Sequence, residues 1–239
     1  MKKTFLKTNN VKNFISMMNN LQNRAEGVPG LGLVYGEPGL GKTYTIMWWA
    51  MQNSSIYIRC ANNMNARWLL EEIVEEFNEI PHLRYSDLYN QTVKCLIERP
   101  KIILVDEVDY LTEEYKAVET LRDLHDKTNI PIVLIGMENA DKKLLRYKHL
   151  YDRISEKCEF KSFNESDVAG IISELSDIPI TDCGKKFIFT KTNRFRQIVK
   201  FLNKIEQIGK SNGLNSIDEL TIKEFIEDDE IINSATRAY

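Results

Sequence analysis

The residues with the clearest chemical role form a glycine-rich run at positions 36–43. The run reads Gly-Glu-Pro-Gly-Leu-Gly-Lys-Thr, which is a G-x-x-x-x-G-K-T pattern. Its glycines allow backbone N–H groups to turn toward phosphate oxygens, and the positive end of a following helix adds attraction. We expect Lys42 to reach the β- and γ-phosphates and the Thr43 hydroxyl to bind Mg²⁺. The predicted nucleotide-binding residues are Gly36, Glu37, Pro38, Gly39, Leu40, Gly41, Lys42, Thr43 and Tyr44.

The segments on either side of this run favour a phosphate-binding loop over a chance glycine-rich turn. Residues 31–35 are apolar and are predicted to form a buried strand, whereas residues 44–50 are predicted to form a buried helix. Because strand, loop and helix follow one another in this order, the motif has the context that phosphate binding requires. We therefore expect ATP and Mg²⁺ as cofactors.

Two adjacent carboxylates end a second apolar run, at residues 101–107. In proteins with such a phosphate loop, an Asp at this strand end holds the Mg²⁺ water shell, which is the role predicted for Asp106. Glu107 beside it can polarise the attacking water as a general base. Alone, the two acids could simply be solvated at a strand terminus. Together with the glycine-rich loop, they predict ATP hydrolysis.

Length and composition favour a cytoplasmic enzyme without a membrane partner. The 239 residues can form one large domain or a core with a small appendage, and the 43% hydrophobic content supports a sizeable core. No apolar run approaches the roughly 18 residues of a membrane span, and the N-terminus lacks the features of a signal peptide. The four cysteines lack the spacing of a zinc site or disulfide framework and indicate core thiols: Cys60, Cys95, Cys158 and Cys183.

Charge is distributed unevenly along the chain. The first 25 residues contain five Lys or Arg residues and no acid, whereas residues 218–230 are rich in acids. The acidic end is expected to be a solvated surface. The basic end is compatible with contact to a phosphate backbone.

The pattern of apolar segments predicts an α/β fold. Continuous apolar strands alternate with helices up to about residue 163, which favours a parallel five-stranded sheet between helices. From residue 164 onward only helices are expected, the last over residues 216–232. The predicted domains are therefore a core at 1–163 and a small helical domain at 164–239. This core with a helical lid is the plan of AAA+ P-loop ATPases. The five predicted strands are 31–35, 55–60, 102–106, 130–136 and 158–161.

Residues 119–138 carry a more specific resemblance. A Leu-Arg-Asp-Leu-His-Asp helix followed by an Ile-Pro-Ile-Val-Leu-Ile-Gly-Met-Glu strand closely resembles the MuB and TnsC-like family of transposition ATPases. The resemblance implies an ATP-dependent protein that assembles on double-stranded DNA as a ring or helical filament. It also implies target-DNA selection and recruitment or stimulation of a DDE-type transposase. MuB has a further N-terminal helix-turn-helix domain without a counterpart here, so its contribution is not carried over.

The resemblance also implies an active site shared between subunits. In this family an arginine of one subunit completes the site of the next and stabilises charge in the transition state. The matching position lies after the fourth strand and its helix. Arg153 is therefore the expected arginine finger, the residue that reaches into the site of the neighbouring subunit. Arg146 is the alternative.

Two further family positions sense the bound nucleotide. Residues 192–198 resemble the start of the sensor-2 helix, so Arg196 is expected to reach the phosphates of its own subunit, with Arg194 as the competing alignment. The sensor-1 position follows the fourth strand, where Glu138 and Asn139 are both candidates.

DNA contacts are expected from the segments that face DNA in related filaments. The matching residues are Asn62, Asn63 and Arg67, with Lys101 and Lys116 near them in the sequence. Their amides and cations suit sequence-independent contact with phosphates. The alternative is that the asparagines only form a turn and helix cap.

Two other functions compete with this assignment. A replication helicase loader of the IstB/DnaC kind would also be a DNA-associated ATPase, but the helix at residues 121–126 looks more like MuB. A signalling ATPase that binds only protein would need an effector or sensor domain beyond core and lid.

Overall fold

A parallel five-stranded sheet organises the computed structural model, which describes residues 2 and 4–225. The sheet order is β2-β3-β4-β1-β5, and every adjacent pair is parallel. Strands β3 and β4 are buried throughout, as expected for a sheet with both faces covered. The predicted parallel sheet is confirmed. Its strands are β1 (Leu31–Gly36), β2 (Ile56–Arg59), β3 (Ile103–Asp106), β4 (Ile132–Ile135) and β5 (Ile154–Phe160).

Strand β5 begins earlier than the sequence pattern indicated. We predicted residues 158–161, whereas the strand runs over Ile154–Phe160. It lies at the edge of the sheet and pairs only with β1, so alternate side chains face solvent. Polar residues such as Glu156 and Lys157 therefore interrupt the apolar run by which the other strands were found.

Helices cover each face of the sheet because alternate strand residues point in opposite directions. On one face Val34, Leu104 and Val133 pack with α1 (Asn9–Gln22) and α2 (Lys42–Gln52). On the other face Leu33, Val105 and Leu134 pack with three helices. These are α3 (Ala66–Glu75), α4 (Tyr85–Glu98) and α5 (Tyr115–Thr128). A 3₁₀ helix at Val108–Glu113 and two short helices, α6 (Ala140–Leu144) and α7 (Lys148–Tyr151), complete this part of the chain.

Contacts divide the chain into a unit at Asn10–Lys161 and a second unit from Ser162 onward. The second unit also contains the residues up to Asn9, which the sequence analysis had placed in a core of residues 1–163. A physical reason is visible at Lys2, whose backbone N–H donates to the Leu175 carbonyl at 2.9 Å.

An apolar cluster in the second unit is formed by a short helix at residues 219–225, which contributes Ile222, and by three longer helices. The longer helices are α8 (Glu165–Leu175), α9 (Asp182–Lys191) and α10 (Phe195–Ser211), and Ile171, Ile188 and Leu202 are among the buried residues they share. The predicted last helix, 216–232, is helical from residue 219 to residue 225, and its remainder lies outside the described residues, as do most of the clustered acids there. No helix in the described part of the chain combines the length and apolar character that a membrane span needs.

A buried histidine joins the amino ends of two neighbouring strands. The His125 Nε2 atom accepts a hydrogen bond from the Gly30 N–H at 3.0 Å, and its Nδ1 lies 2.8 Å from the Ile130 carbonyl oxygen. Nδ1 must donate to that carbonyl, so the ring that satisfies both bonds is neutral. Burial lowers the pKa of His125 below its usual value of 6.5.

This histidine predicts a loss of stability in mild acid. Because the folded pKa lies below the unfolded one, the unfolded state binds the extra proton first as pH falls. The contribution of His125 is complete above about pH 6.5 and decreases as pH falls toward the folded pKa. His125→Gln should be less stable by about 1–3 kcal/mol at pH 7.5, because Gly30 loses its acceptor. It should also lose less stability than the wild type between pH 7.5 and 5.5, measured by urea unfolding.

His82→Gln is the matched control, because His82 is exposed and its hydrogen bonds in the described structure are made by its backbone N–H and carbonyl oxygen. This variant should keep the wild-type dependence on pH. An unchanged pH dependence in His125→Gln would show that another group controls acid stability.

Candidate active site

The glycine-rich loop lies at the carboxyl edge of the sheet, between the end of β1 and the start of α2. Gly36 has a φ of 147°, and a Cβ there would collide with the carbonyl oxygen of Phe160 on the neighbouring strand. Gly41 adopts a left-handed conformation with φ 89° immediately before α2. These positions need glycine for backbone geometry, so the loop turns sharply and directs the helix N-terminus toward its centre.

Lys42 is the first residue of α2, and its ammonium folds back over the loop. The Nζ atom donates to the carbonyl oxygens of Gly36 at 2.6 Å and Glu37 at 2.8 Å. The positive charge is therefore held at the mouth of the loop, beside the helix N-terminus. Both features attract anions, so this arrangement suits a phosphate chain.

Thr43 in the first turn of α2 and Asp106 at the end of β3 meet at the carboxyl edge of the sheet. The Thr43 hydroxyl donates to Asp106 Oδ2 at 2.8 Å, and the Glu107 N–H donates to Oδ1 at 2.8 Å. Asp106 is only 3% exposed. A hydroxyl and a carboxylate are the hard oxygen ligands that Mg²⁺ accepts when phosphates and waters supply the others. The donor set thus fits a Mg²⁺ ion held together with a nucleotide.

Glu107, the predicted general base, is paired with a cation that the sequence analysis did not identify. Arg59 Nη2 lies 2.7 Å from Glu107 Oε1, and Arg59 is in register with Asp106 across the β2–β3 pair. The Glu107 backbone is left-handed with φ 56°, which turns its side chain away from the strand direction. The guanidinium occupies Oε1 of the carboxylate, so Glu107 must leave Arg59 before this oxygen can face an attacking water. The sequence did contain one signal of this pair, which is a basic residue at the end of the neighbouring parallel strand.

A second unpredicted contact joins the segment after Asp106 to the segment after β4. Asp109 accepts hydrogen bonds from the Met137 N–H at 2.6 Å and from Lys143 Nζ at 3.0 Å. The two sensor-1 candidates, Glu138 and Asn139, are both exposed in this segment. Asp109 therefore connects the segment after β3 to the segment after β4, which contains both sensor-1 candidates.

Arg153 lies at the amino edge of the sheet, immediately before β5, whereas the glycine-rich loop lies at the carboxyl edge. Its Nε donates to Asp126 Oδ1 at 2.6 Å, and its Nη1 donates to the His149 carbonyl at 2.6 Å. The six residues of β1 separate this edge from the glycine-rich loop by roughly 17–20 Å. Arg153 is therefore too far away to complete the site of its own chain. Arg146 is exposed in the turn after α6.

The two sensor-2 candidates lie in the second unit. Arg194 immediately precedes α10, and Arg196 is exposed in its first turn. Their contact with a nucleotide stays a prediction.

The predicted DNA-contact residues do not form one cluster. Asn62 and Asn63 are exposed in the turn after β2, at the carboxyl edge, and Lys116 is exposed in the first turn of α5. Lys101 precedes β3 at the amino edge, and its Nζ donates to the Glu76 carbonyl at 3.1 Å. Any DNA surface at the carboxyl edge therefore excludes Lys101.

Arg67 supports a neighbouring loop. Its Nη1 donates to the Leu83 carbonyl at 2.6 Å, and its Nη2 pairs with Glu71 at 2.7 Å. The loop it supports exposes two aliphatic side chains, Ile80 at 89% and Leu83 at 90%. Replacing Arg67 would alter this loop, so the residue is a poor isolated probe of phosphate contact.

The amino-acid sequence of this chain is similar to a known family and to known proteins. A family model described as AAA domain matches residues 25–144, half of the 239-residue chain. A "Potential ATP-binding protein" of Staphylococcus aureus is 25% identical over 230 residues, which cover 78% of this chain and 83% of the relative. The "Mu-like prophage FluMu DNA transposition protein B" of Haemophilus influenzae is 25% identical over 153 residues, covering 59% of this chain and 52% of the relative. The chain thus spans about half of the second relative.

Solved structures share the fold. The Aeropyrum pernix ORC2 protein, in ADPNP–ADP complexes, aligns with a TM-score of 0.70 and 15% identity over 95% of this chain and 70% of that chain. Cdc6p of Pyrobaculum aerophilum aligns with a TM-score of 0.66 and 18% identity over 91% of this chain and 65% of that chain. The predicted AAA+ P-loop fold is confirmed by this likeness.

The Arg59–Glu107 pair predicts a variant with faster basal ATP hydrolysis. Arg59→Ala removes the partner that Glu107 must leave before it can act as a base. Because the Arg59 side chain is 64% exposed, the pair is weak and its loss should raise the rate by at most roughly fivefold. Phosphate release at saturating ATP measures this rate.

Lys94→Ala breaks a comparable exposed pair with Glu98 on α4 and should leave the rate unchanged. A slower Arg59→Ala protein would show that the arginine assists hydrolysis rather than restraining Glu107.

Proposed function

We propose a specific role for this chain, which belongs to the AAA domain family and is an ATP-binding AAA+ ATPase. In this role it assembles on double-stranded DNA in the presence of ATP and acts with a DDE-type transposase in selecting target DNA. The observation that carries the ATP-dependent part is the meeting of Thr43 and Asp106 at 2.8 Å beside Lys42. The transposition part is supported by the resemblance at residues 119–138 and by the similarity to a DNA transposition protein B.

The chain's own residues divide the chemistry between them. Lys42 and the loop N–H groups bind the phosphates, while Thr43 and Asp106 hold Mg²⁺. Bound Mg²⁺ neutralises charge on the β- and γ-phosphate oxygens. Glu107, once separated from Arg59, accepts a proton from the attacking water.

The remaining cation comes from a second copy of the chain. Arg153 lies at the sheet edge opposite its own glycine-rich loop, so it can serve only a neighbour. Its ion pair with Asp126 keeps the guanidinium charge compensated in the single chain. In a ring or filament, Arg153 would reach the γ-phosphate bound by the next subunit, which couples hydrolysis to assembly.

A mixing experiment tests this shared site. Lys42→Ala and Arg153→Ala should each be inactive, because one lacks the phosphate-binding ammonium and the other lacks a cation worth 10³-fold or more, to order of magnitude, in rate. Mixed at constant total concentration, they should regain part of the activity. An interface is intact when the Arg153→Ala chain binds the nucleotide with its own Lys42 and the Lys42→Ala chain supplies Arg153. Phosphate release measures the recovery.

The control replaces the Lys42→Ala partner with the double variant Lys42→Ala/Arg153→Ala. Every interface then lacks Arg153, so activity should stay absent. If the first mixture is as inactive as its components, Arg153 is not the arginine finger. That result would favour Arg146, or an arrangement in which the site is completed within one chain.

DNA binding is expected to depend on ATP and to be insensitive to sequence. The chain has a net charge of −3, so several subunits must add their contacts. Each phosphate contact contributes about 0.9 to the salt exponent. Fluorescence anisotropy on two unrelated duplexes should show cooperative, salt-sensitive binding with ATP and little binding with ADP.

Two lysine variants locate the DNA surface. Lys116→Ala, at the carboxyl edge, should weaken binding equally on both duplexes and reduce the salt exponent by about 0.9 per contact removed. Lys101→Ala, at the amino edge, should have no effect. Tight binding without nucleotide, or preference for one duplex, would favour the helicase-loader function. An absence of DNA binding in every nucleotide state would favour an ATPase that binds only protein.

A further inference from the structure

Tyr57 contacts the candidate metal site from a strand that the nucleotide motifs do not include. It lies within β2, and its hydroxyl donates to Asp106 Oδ2 at 2.9 Å. The same oxygen accepts the Thr43 hydroxyl at 2.8 Å. Two hydroxyls from separate elements therefore converge on one carboxylate oxygen.

The Asp106 carboxylate needs such donors because it is buried. A carboxylate that is only 3% exposed must replace its lost hydration with hydrogen bonds. The Glu107 N–H supplies one bond to Oδ1, but it belongs to the adjacent residue and moves with Asp106. Thr43 is itself a predicted metal ligand. Tyr57 is therefore the donor that is neither a metal ligand nor next to the carboxylate in the chain.

The surroundings of Tyr57 hold its hydroxyl in place. The ring is half-buried and packs against the apolar cluster to which α2 contributes Ile46 and Trp49. Residue 57 is in register with Leu104, two residues before Asp106 on the adjacent parallel strand. The position of the hydroxyl thus depends on sheet register and on packing against α2, which also carries Thr43.

We propose that Tyr57 is a positioning residue of the metal site. It orients the Asp106 carboxylate, in addition to Thr43, so that the pair is already arranged to receive Mg²⁺ with the nucleotide. The inference rests on the proposed ATP and Mg²⁺ site. A metal ligand is commonly oriented by a partner that does not touch the metal, and loss of such a partner typically reduces metal affinity 10–100-fold.

Tyr57→Phe tests this role because it removes the hydroxyl and keeps the ring. The readout is equilibrium binding of a fluorescent ATP analogue at increasing Mg²⁺ concentration, which does not depend on hydrolysis. The Mg²⁺ concentration at the midpoint should rise about tenfold in the variant. Binding of the analogue in EDTA should equal that of the wild type, because Lys42 and the loop are unchanged.

Tyr151→Phe is the matched control. Tyr151 donates to Asp141 Oδ1 at the same distance of 2.9 Å, so this variant removes an equivalent bond at another carboxylate. Its Mg²⁺ midpoint should equal that of the wild type.

A Tyr57→Phe midpoint that is unchanged or lower than the wild-type midpoint would overturn the positioning role and leave the proposed function intact. A wild-type protein whose affinity for the analogue is independent of Mg²⁺ would overturn the metal site itself, and the positioning role with it.

Discussion

The hydrogen bond between Thr43 and Asp106 joins the start of α2 to the end of β3, across 63 residues of the chain. It depends on the order of the sheet, in which β4 lies between β3 and β1. Parallel strands end at the same edge, so the glycine-rich loop after β1 and the carboxylates after β3 face each other across β4. The buried apolar contacts on both faces of the sheet are what hold this edge together. Phosphate binding and metal binding consequently depend on the same packing.

The charged groups of the site are already paired within the single chain. Lys42 is bonded to loop carbonyls, Glu107 to Arg59, and Arg153 to Asp126. Such pairs limit the cost of holding charge at a partly buried site, and each must rearrange before its member can act on a nucleotide. For Arg153 the strands also impose a separation, because they place it at the amino edge of the sheet and the glycine-rich loop at the carboxyl edge. This separation is why the role proposed for Arg153 requires a second copy of the chain.

The carboxyl edge also carries contacts that join neighbouring segments to the site. Asp109, which follows β3, joins this segment to the one after β4 through hydrogen bonds with Met137 and Lys143. Tyr57 joins β2 to Asp106, and the same strand ends in Arg59. The turn after β2 contains the exposed asparagines that were predicted to contact DNA. A displacement of β2 would therefore change the contacts of both Asp106 and Glu107.

The sequence by itself determined the parts of this protein that depend on local spacing. Phosphate-binding glycines, Lys42 and Thr43 lie within eight residues, and Asp106 and Glu107 are adjacent, so linear order was sufficient to assign them roles. Continuous apolar runs likewise predicted β1 to β4 and the parallel sheet, whereas the half-exposed β5 was only partly recognised. Tertiary structure alone decided which side chains meet across the strands: Tyr57 and Arg59 with the carboxylates, Lys101 away from the asparagines, and Arg153 away from its own loop. Those contacts follow from strand order and register, which arise from packing between distant segments and leave no fixed spacing in the chain.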